Sequence, residues 1–285
     1  MKKIISHLNQ YWHYTKYIPF SIWAIMHFPD YKPQPVSINN FTKWLHQFDE
    51  NDRSIIIHLL KKIIYISEKQ TESLLLKLNA DLLNKLADED ITIKNVIFVQ
   101  IHDPGSSSPV MLNMVRDRGR LERKGCYFID GKNVRELNEV TSKLGQGAII
   151  YVDDYAGTGN QFCTARDYLA EYIVGNFAEY FLLPAICEEA VAELNMRGIE
   201  PKAEIIHKKK ERPLHPDSSL ISNDVKKKLI EICKKIDSKG ALGYKGLAAM
   251  IVFYRNSPNS LPVIFRGCMK QKEWKGLFPR TTDLP

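Results

Sequence analysis

Hydrophobic residues recur along the chain with two different periods. Over residues 41–86 they follow a helical spacing, which predicts helices that pack by one apolar face. After Asp90 the pattern changes to short apolar runs that alternate with amphipathic segments. This alternation is typical of a mostly parallel β-sheet covered by helices. We therefore predict an α/β fold with a helical N-terminal extension. Residues 1–90 would form the N-terminal arm and extension, and residues 91–285 the α/β domain.

The predicted strands and helices of this domain alternate along the chain. Gly145 and Gly198 follow two of the helices as C-terminal stops. Ligands of open α/β sheets bind beyond the carboxyl ends of the strands, so the loops after the strands are where a site is expected. The strands are 96–101, 127–129, 148–152, 180–183, 203–207 and 248–254, and the helices are 110–118, 133–144, 161–174, 186–197 and 224–236.

The beginning of the chain is rich in aromatic residues and is broken by prolines. We expect an irregular arm that covers apolar surface, and the alternative is a role in stacking against a ligand. The aromatic residues are Tyr11, Trp12, Tyr14, Tyr17, Phe20, Trp23 and Phe28, and the prolines are Pro19, Pro29, Pro33 and Pro35.

Composition and cysteine usage narrow the class of protein. Hydrophobic residues make up 44% and charged residues 26% of the chain, as in ordinary globular proteins. Polar residues interrupt the apolar ones near the start, so neither a signal peptide nor a membrane-spanning segment is expected, and the cytoplasm is the expected compartment. The five cysteines are scattered and lack the spacing of a disulfide framework or a zinc site, so we expect buried or free thiols.

Basic residues outnumber acidic ones by 40 to 33, which gives a formal net charge of +7. Such a charge attracts phosphates, nucleotides or nucleic acid over long range. No aromatic platform is interleaved with the densest basic region, so a solvated helix face and loop explain it as well as nucleic-acid contact does. That region contains Lys208, Lys209, Lys210, Arg212, Lys226, Lys227, Lys228, Lys234 and Lys235.

Residues 148–161 combine an apolar strand, two acids, a small-residue loop and a helix start. Asp153 and Asp154 would be costly to bury unpaired, but they can accept hydrogen bonds from the two adjacent hydroxyls of a ribose. The loop can direct several backbone N–H groups at one phosphate, because Gly157 and Gly159 allow close approach and the helix N-terminus attracts anions. An ordinary strand with a polar glycine turn is the structural alternative. The candidate phosphate-binding residues are Ala156, Gly157, Thr158, Gly159, Asn160 and Gln161.

This segment resembles the phosphoribosyl-diphosphate motif of type I phosphoribosyltransferases: four apolar residues, two acids, two small or apolar residues and a Thr/Gly-rich loop. The resemblance implies a type I phosphoribosyltransferase-like sheet, phosphoribosyl diphosphate with Mg²⁺ as ligand, and Asp153 and Asp154 as catalytic residues. Purine-salvage members carry an acid at the position of Gly157, and Gln161 stands where Thr or Ser is usual. Transfer to a free purine is therefore disfavoured. Dinucleotide and P-loop motifs are also disfavoured, because their glycine and lysine spacings are missing.

The loop after the strand at 96–101 is a second candidate region, and the resemblance implies that it is the pyrophosphate loop. Its backbone N–H groups and serine hydroxyls suit a leaving pyrophosphate, and an arginine on the next helix would add positive charge. A capped turn that only starts the helix is the alternative. The candidate residues are Gly105, Ser106, Ser107, Ser108 and Arg116, with Arg118 as an alternative to Arg116.

Segments near both ends of the chain carry a further resemblance. Residues 243–246, the tract 255–262, the tail with Trp274 and Phe278, and the region around Trp44 look like those of phosphoribosyltransferase-like proteins from bacterial conflict and antiviral operons, including retron-linked ones. For the tract 255–262 we can give no chemistry beyond a polar loop beside the pocket, and a plain turn is its alternative.

Together these features predict a phosphoribosyltransferase-like enzyme that acts as a toxin effector in a bacterial antiviral defence system. It would bind phosphoribosyl diphosphate with Mg²⁺, or a related nucleotide, and transfer or release the ribosyl phosphate. The expected partners are this ligand and either a protein of the same defence operon or nucleic acid, and no membrane is expected. Two alternatives stay open, a non-catalytic module that senses a nucleotide and an effector that binds nucleic acid through residues 208–235.

Overall fold

The computed structural model describes residues 16–101, 106–267 and 274–283. The helices are α1 (Ile18–His27), α2 (Ile38–Leu45), α3 (Glu50–Leu60), α4 (Glu68–Asp88), α5 (Ser107–Gly119), α6 (Leu121–Lys124), α7 (Val134–Leu144), α8 (Asn160–Ala170), α9 (Glu188–Asn195), α10 (Asn223–Ile236) and α11 (Val263–Arg266). The strands are β1 (Ile64–Ile66), β2 (Val96–Gln100), β3 (Tyr127–Asp130), β4 (Gln146–Val152), β5 (Tyr155–Ala156), β6 (Asn176–Cys187), β7 (Ile199–His207) and β8 (Ile251–Phe253).

The described residues form two compact units. One contains the described residues up to Glu68 together with those from Lys209 onward, and the other is Lys69–Lys208. The predicted boundary after residue 90 divides the chain at a different point, and that division into domains stays a prediction.

The unit Lys69–Lys208 is built on a parallel sheet with the order β3-β2-β4-β6-β5, in which β7 also pairs with β6. Val152 pairs with Leu182 and Tyr155 pairs with Ala185, so β5 continues β4 in the same register along β6. The lateral order is therefore β3-β2-β4-β6-β7. In chain order this is the 2-1-3-4-5 arrangement of one class of doubly wound sheet.

Both faces of this sheet are covered by helices. Side chains of α7, α8 and α9 pack on one face in a core that includes Ile149, Tyr151 and Phe181. Side chains of α4, α5 and α6 pack on the other face against Ile150 and Val152. A parallel sheet buried on both faces requires near-continuous apolar strands, which is the pattern of β4. The predicted α/β fold class is confirmed.

The other unit contains α1, α2, α3, α10 and α11 around an aromatic-rich core. It also contains a two-stranded parallel sheet in which Ile64 pairs with Ile251. The prediction that residues 248–254 form a strand of the main sheet is therefore wrong. The apolar run itself does not show which strand it pairs with. Its partner, β1, lies inside the segment 41–86 that was predicted as helical throughout.

The beginning of the described chain is more regular than the predicted arm. Residues Ile18–His27 form a helix whose first turn contains Pro19, a position that a helix tolerates because the missing N–H has no intrahelical partner there. Tyr17 and Phe28 are buried in the core of their unit. Of the remaining predicted aromatic residues, Tyr11, Trp12 and Tyr14 lie outside the described residues.

In the sheet unit, the end of α7 and the start of β6 can be compared with the element boundaries predicted from the sequence. Gly145 ends α7 as predicted, with φ +72° and its N–H donating to Thr141 O at 2.8 Å. β6 begins at Asn176, four residues before the predicted strand. Its first four positions alternate between exposed and half-buried, so they lack the continuous apolar run by which the strand was predicted. No helix in the described part of the chain is both long and apolar enough to cross a membrane. Among the described residues, Cys126, Cys163, Cys187 and Cys233 form no disulfide bond, and Cys268 lies outside the described residues.

Candidate functional site

The sheet reverses its winding direction between β2 and β4. From β2 the chain crosses to β3 on one side and then returns to β4 on the other side of β2. Such a switch point opens a crevice at the carboxyl ends of the strands, where ligands of open α/β sheets bind. The two loops predicted as functional follow β2 and β4, so both begin at this crevice.

Asp153 and Asp154 occupy the break between β4 and β5. The N–H of Asp153 still bonds to Leu182 O at 3.1 Å, and its carboxylate Oδ1 accepts the N–H of Asp154 at 2.8 Å. The Asp153 side chain is buried, with 6% exposed, while Asp154 is half-buried. The structure therefore brings both predicted acids to the switch point, with the inner carboxylate oriented by the backbone.

The loop after β5 leads directly into α8. Ala156 is buried and pairs with Ile186, Gly157 and Thr158 are half-buried, and Gly159 has φ +76°, a left-handed conformation that favours glycine. The N-cap residue Gly159 has no side chain to cap α8, and the Asn160 N–H donates to Thr158 Oγ1 at 3.4 Å. The first N–H groups of the helix therefore lack helical acceptors and attract an anion. The predicted phosphate-binding residues Asn160 and Gln161 are exposed at this helix start.

A partly buried ionic cluster holds α8 against the sheet behind this loop. Arg166 of α8 donates from Nε to Glu179 Oε2 at 2.8 Å and from Nη2 to Oε1, and the Tyr151 hydroxyl donates to Glu179 Oε2 at 2.9 Å. Burial raises the pKa of Tyr151 well above its usual value, and the carboxylate of Glu179 adds to the effect. Phe162 stacks on Phe181 with a centroid distance of 3.9 Å.

Sequence analysis missed this cluster. Its three polar members come from one helix and two strands, so no local spacing connects them. The available signal was a single acid, Glu179, close to an apolar strand core.

The serine loop divides into accessible and buried parts. Ser106 and Ser107 are half-buried at the start of α5. Ser108 is fully buried, and its Oγ has no hydrogen-bond partner among the described residues. A ligand at the surface would therefore meet the first two serines rather than the Ser108 hydroxyl. Gly105 lies outside the described residues.

The structure does not bring Arg116 together with these serines. Arg116 lies nine residues after Ser107 on α5, a rise of about 13 Å along a helix, and it pairs with Asp117 and Glu122. Arg118 pairs with Glu72. Lys132, in the turn after β3, is a cation that does lie at the carboxyl edge of the sheet. It lines a cavity there together with Ile101, the residue after β2. The signal for it was a lysine three residues after the predicted strand 127–129.

Two cations of the lysine-rich region have structural roles. Arg212 is fully buried, and its Nη1 donates to Leu247 O at 3.2 Å. The Lys226 side chain donates to the carbonyl oxygens of His215, Pro216 and Ser218 at 2.9, 3.3 and 2.5 Å. The surface charge of this region is therefore smaller than the sequence indicated, because these two groups bind backbone carbonyls.

The tract 255–262 also has structural contacts. Ser257 is buried, and its hydroxyl donates to Phe278 O at 2.9 Å. The side-chain oxygen of Asn256 accepts the N–H groups of Ser257 and Thr281 at 3.0 and 3.4 Å. These bonds attach the C-terminal tail to the loop after β8, which gives Asn256 and Ser257 structural roles.

Asp153 and Asp154 are also the donors available for a magnesium ion at the crevice. Mg²⁺ in nucleotide sites takes one or two carboxylates and completes its shell with water and substrate phosphates, so this pair fits an ion that arrives with a diphosphate. Among the described residues, no group of three or more His, Cys, Asp and Glu side chains could hold a metal ion.

Comparison with known proteins adds two findings. A family model described as PRTase-CE matches residues 41–280 of the chain. Among solved structures, orotate phosphoribosyltransferase from Aeropyrum pernix is similar at 18% identity, over 44% of this chain and 67% of that chain, with a TM-score of 0.29. No curated protein sequence matches the chain.

Proposed function

This chain belongs to the PRTase-CE family, and from that premise we propose that its switch-point crevice binds phosphoribosyl diphosphate with Mg²⁺, or a related nucleotide. The bound ligand is then the donor from which ribosyl phosphate is transferred or released. The observation that carries this proposal is the acid pair at the break between β4 and β5, followed by the start of α8, where Gly159 supplies no capping side chain. Sugar hydroxyls and a phosphate can be bound side by side by these two features.

Each part of the crevice has a separate task in the proposed reaction. The carboxylates of Asp153 and Asp154 accept hydrogen bonds from the ribose hydroxyls and stabilise the positive charge that develops at the ribose ring. The backbone N–H groups of the loop 156–161 bind the 5′-phosphate. Ser106 and Ser107 bind the pyrophosphate end, which leaves with the electron pair of the broken bond. When bound, Mg²⁺ neutralises charge on the diphosphate.

A measurement of pyrophosphate release separates the two main forms of the proposal. An enzyme incubated with phosphoribosyl diphosphate and Mg²⁺ releases pyrophosphate over many turnovers, and Asp153→Asn together with Asp154→Asn abolishes the release. A nucleotide-sensing module binds the same ligand and releases none. The double variant should melt like the parent, since both acids lie at a strand end rather than in an apolar core.

We further propose that this activity serves bacterial antiviral defence, with the chain as a toxin effector or regulator in the cytoplasm. The support is the resemblance of the segments around Trp44, residues 243–246 and tract 255–262 to retron-linked and other conflict proteins. The test is expression with and without the neighbouring genes of its operon. Growth arrest that requires Asp153 and Asp154 supports the effector role, and arrest that persists in their double Asn variant contradicts it.

Nucleic-acid binding is the second candidate function. It is favoured by the exposed lysines of α10, among them Lys227, Lys234 and Lys235. Binding through such a surface releases counterions, so the affinity for single-stranded or duplex oligonucleotides should fall steeply as salt rises from 50 to 200 mM, on the order of tenfold or more. Equal affinity at both salt concentrations would contradict this function.

A further inference from the structure

Helix α1 exposes apolar side chains on the side that faces away from its core. Its inner residues Ser21 and Ala24 are fully buried. Ile18, Ile22 and Met26 recur every four residues on the outer side and are 36%, 47% and 73% exposed. These three residues form the α1 stripe. A surface helix normally carries polar residues on its outer side, and a helix that is apolar all round is normally buried. The stripe is therefore suited to an apolar environment.

The charge of this part of the chain is basic. No acidic residue precedes Asp30 in the sequence, whereas three lysines do, and Lys16 directly precedes the buried Tyr17 at the start of α1. The carboxylate of Asp30 is engaged within its unit, since it accepts the Tyr65 hydroxyl at 2.6 Å and the Glu68 N–H at 2.9 Å. An anionic surface that approaches α1 would thus meet lysine charge without an opposing carboxylate from this segment.

Aromatic rings and a lysine lie at the edge of the α1 stripe. Trp23 is half-buried, and its ring centroid is 4.2 Å from that of His27. The exposed Lys61, directly after α3, places its Nζ 5.2 Å from the Phe20 ring centroid and 5.7 Å from that of Trp23. Tryptophan and lysine have apolar bodies and polar tips, so both are favoured at the level of lipid headgroups. An apolar helix face flanked by such residues is typical of a helix that lies in a membrane interface.

The size of the stripe favours a lipid surface over a protein partner. A stable protein interface takes about 800 Å² and roughly 20–30 residues from each side. The α1 stripe has three exposed side chains on a helix of ten residues. Binding to a lipid surface needs no such area, because each apolar side chain and each nearby cation adds to it. The expectation of no membrane partner rested on the lack of a spanning segment, which a helix lying on the surface does not need.

We propose that the α1 stripe docks this chain on the surface of an anionic bilayer. Ile22 and Met26 insert at the boundary between headgroups and acyl chains, and Trp23 lies at the level of the headgroups. Lys16 and Lys61 bind lipid phosphates. The inference does not depend on the proposed function, because none of these residues belongs to the site proposed for phosphoribosyl diphosphate.

Co-sedimentation of the full chain with lipid vesicles tests this proposal. The vesicles contain phosphatidylcholine alone or with about one third phosphatidylglycerol, which makes the surface negative. The parent chain should bind the anionic vesicles more tightly, and binding should weaken in about 1 M salt, where the Debye length is about 3 Å. Ile22→Gln with Met26→Gln should weaken binding roughly 10- to 100-fold, or about three- to tenfold for each side chain that no longer leaves water.

Met196→Gln is the matched control, because Met196 is 75% exposed and belongs to the unit Lys69–Lys208. It should bind like the parent, and both variants should melt like the parent, since exposed side chains contribute little to folding. Met26→Gln alone, at the more exposed position, replaces a double variant that melts lower.

The proposal is overturned if the parent does not bind the anionic vesicles, or if the α1 and Met196 variants bind them alike. Light scattering identifies the rival occupant. A dimer that dissociates in the α1 variant, with no binding of vesicles by the parent, would assign the stripe to a second copy of this chain and overturn the proposal.

Discussion

Removal of the Arg166 guanidinium should destabilise the sheet unit and weaken phosphate binding together. Arg166 donates to both oxygens of Glu179, and the two side chains are 17% and 10% exposed. Arg166→Met keeps most of the apolar stem but leaves the carboxylate with the Tyr151 hydroxyl as its donor in this cluster. Breaking a buried pair from one side typically costs 3–5 kcal/mol, and the partial exposure here places the expected loss near the lower value, at about 3 kcal/mol.

The assay is urea unfolding followed by hydrogen exchange at the amides of β4 and β6, which reports on the sheet unit alone. Glu179→Gln in the Arg166→Met background should recover part of the lost stability, because it removes the negative charge that Arg166 neutralises in the parent protein. Arg135→Met is the control, since Arg135 pairs with Glu139 on an exposed helix face and its loss should not be measurable. Equal stability of the Arg166 and Arg135 variants, or no recovery in the double variant, would refute the reasoning.

Three further predictions concern the loops and thiols. Changing Ser106, Ser107 and Ser108 together to Ala should weaken a diphosphate ligand more than a nucleoside monophosphate in calorimetric titrations, and equal effects on both would assign the loop a structural role. Gly159→Ala and Gly145→Ala both force a side chain into a left-handed backbone, with φ +76° and +72°, so each should cost about 1 kcal/mol or more in thermal unfolding. Only the Gly159 variant should lose phosphate affinity, and equal losses would contradict the phosphate loop. Burial raises the pKa of Cys126 to about 11 and that of Cys233 to about 12, so both should stay protonated and react slowly with a disulfide reagent at pH 8. Labelling of the native chain as fast as in urea would contradict their burial.

The sequence was informative where the pattern of one segment decides its structure. The apolar run before Asp153 predicted a buried strand, and the residues Gly157 to Gly159 predicted a loop before a helix. Strand order follows from such units, because parallel strands joined by helices wind in one direction until a switch point. The loops that these local patterns predicted lie at the switch point, and the assignment of a ligand site to them stays a prediction.

Contacts between distant segments could not be predicted in this way. β1 and β8 are 187 residues apart at their paired ends, Ile64 and Ile251, and each is only three residues long. The run 248–254 was predicted as a strand, but β1 carries no recognisable strand pattern, so the pairing of the two could not be predicted. The charge of Arg212 suggested a surface residue, yet its guanidinium binds a backbone carbonyl inside the protein. A basic residue can serve either role, and the sequence holds no local signal that separates the two.

Titration of phosphoribosyl diphosphate into the protein by calorimetry, with Mg²⁺ present, tests the central claim most directly. The parent chain should bind it saturably. Asp153→Asn with Asp154→Asn should weaken binding roughly tenfold or more for each acid, since a hydrogen bond to a charged group is typically worth about 1.5–3 kcal/mol. The variant must melt like the parent for the comparison to hold. Unchanged affinity in a folded double variant would show that the acids only solvate the turn, and would contradict the assignment of the site.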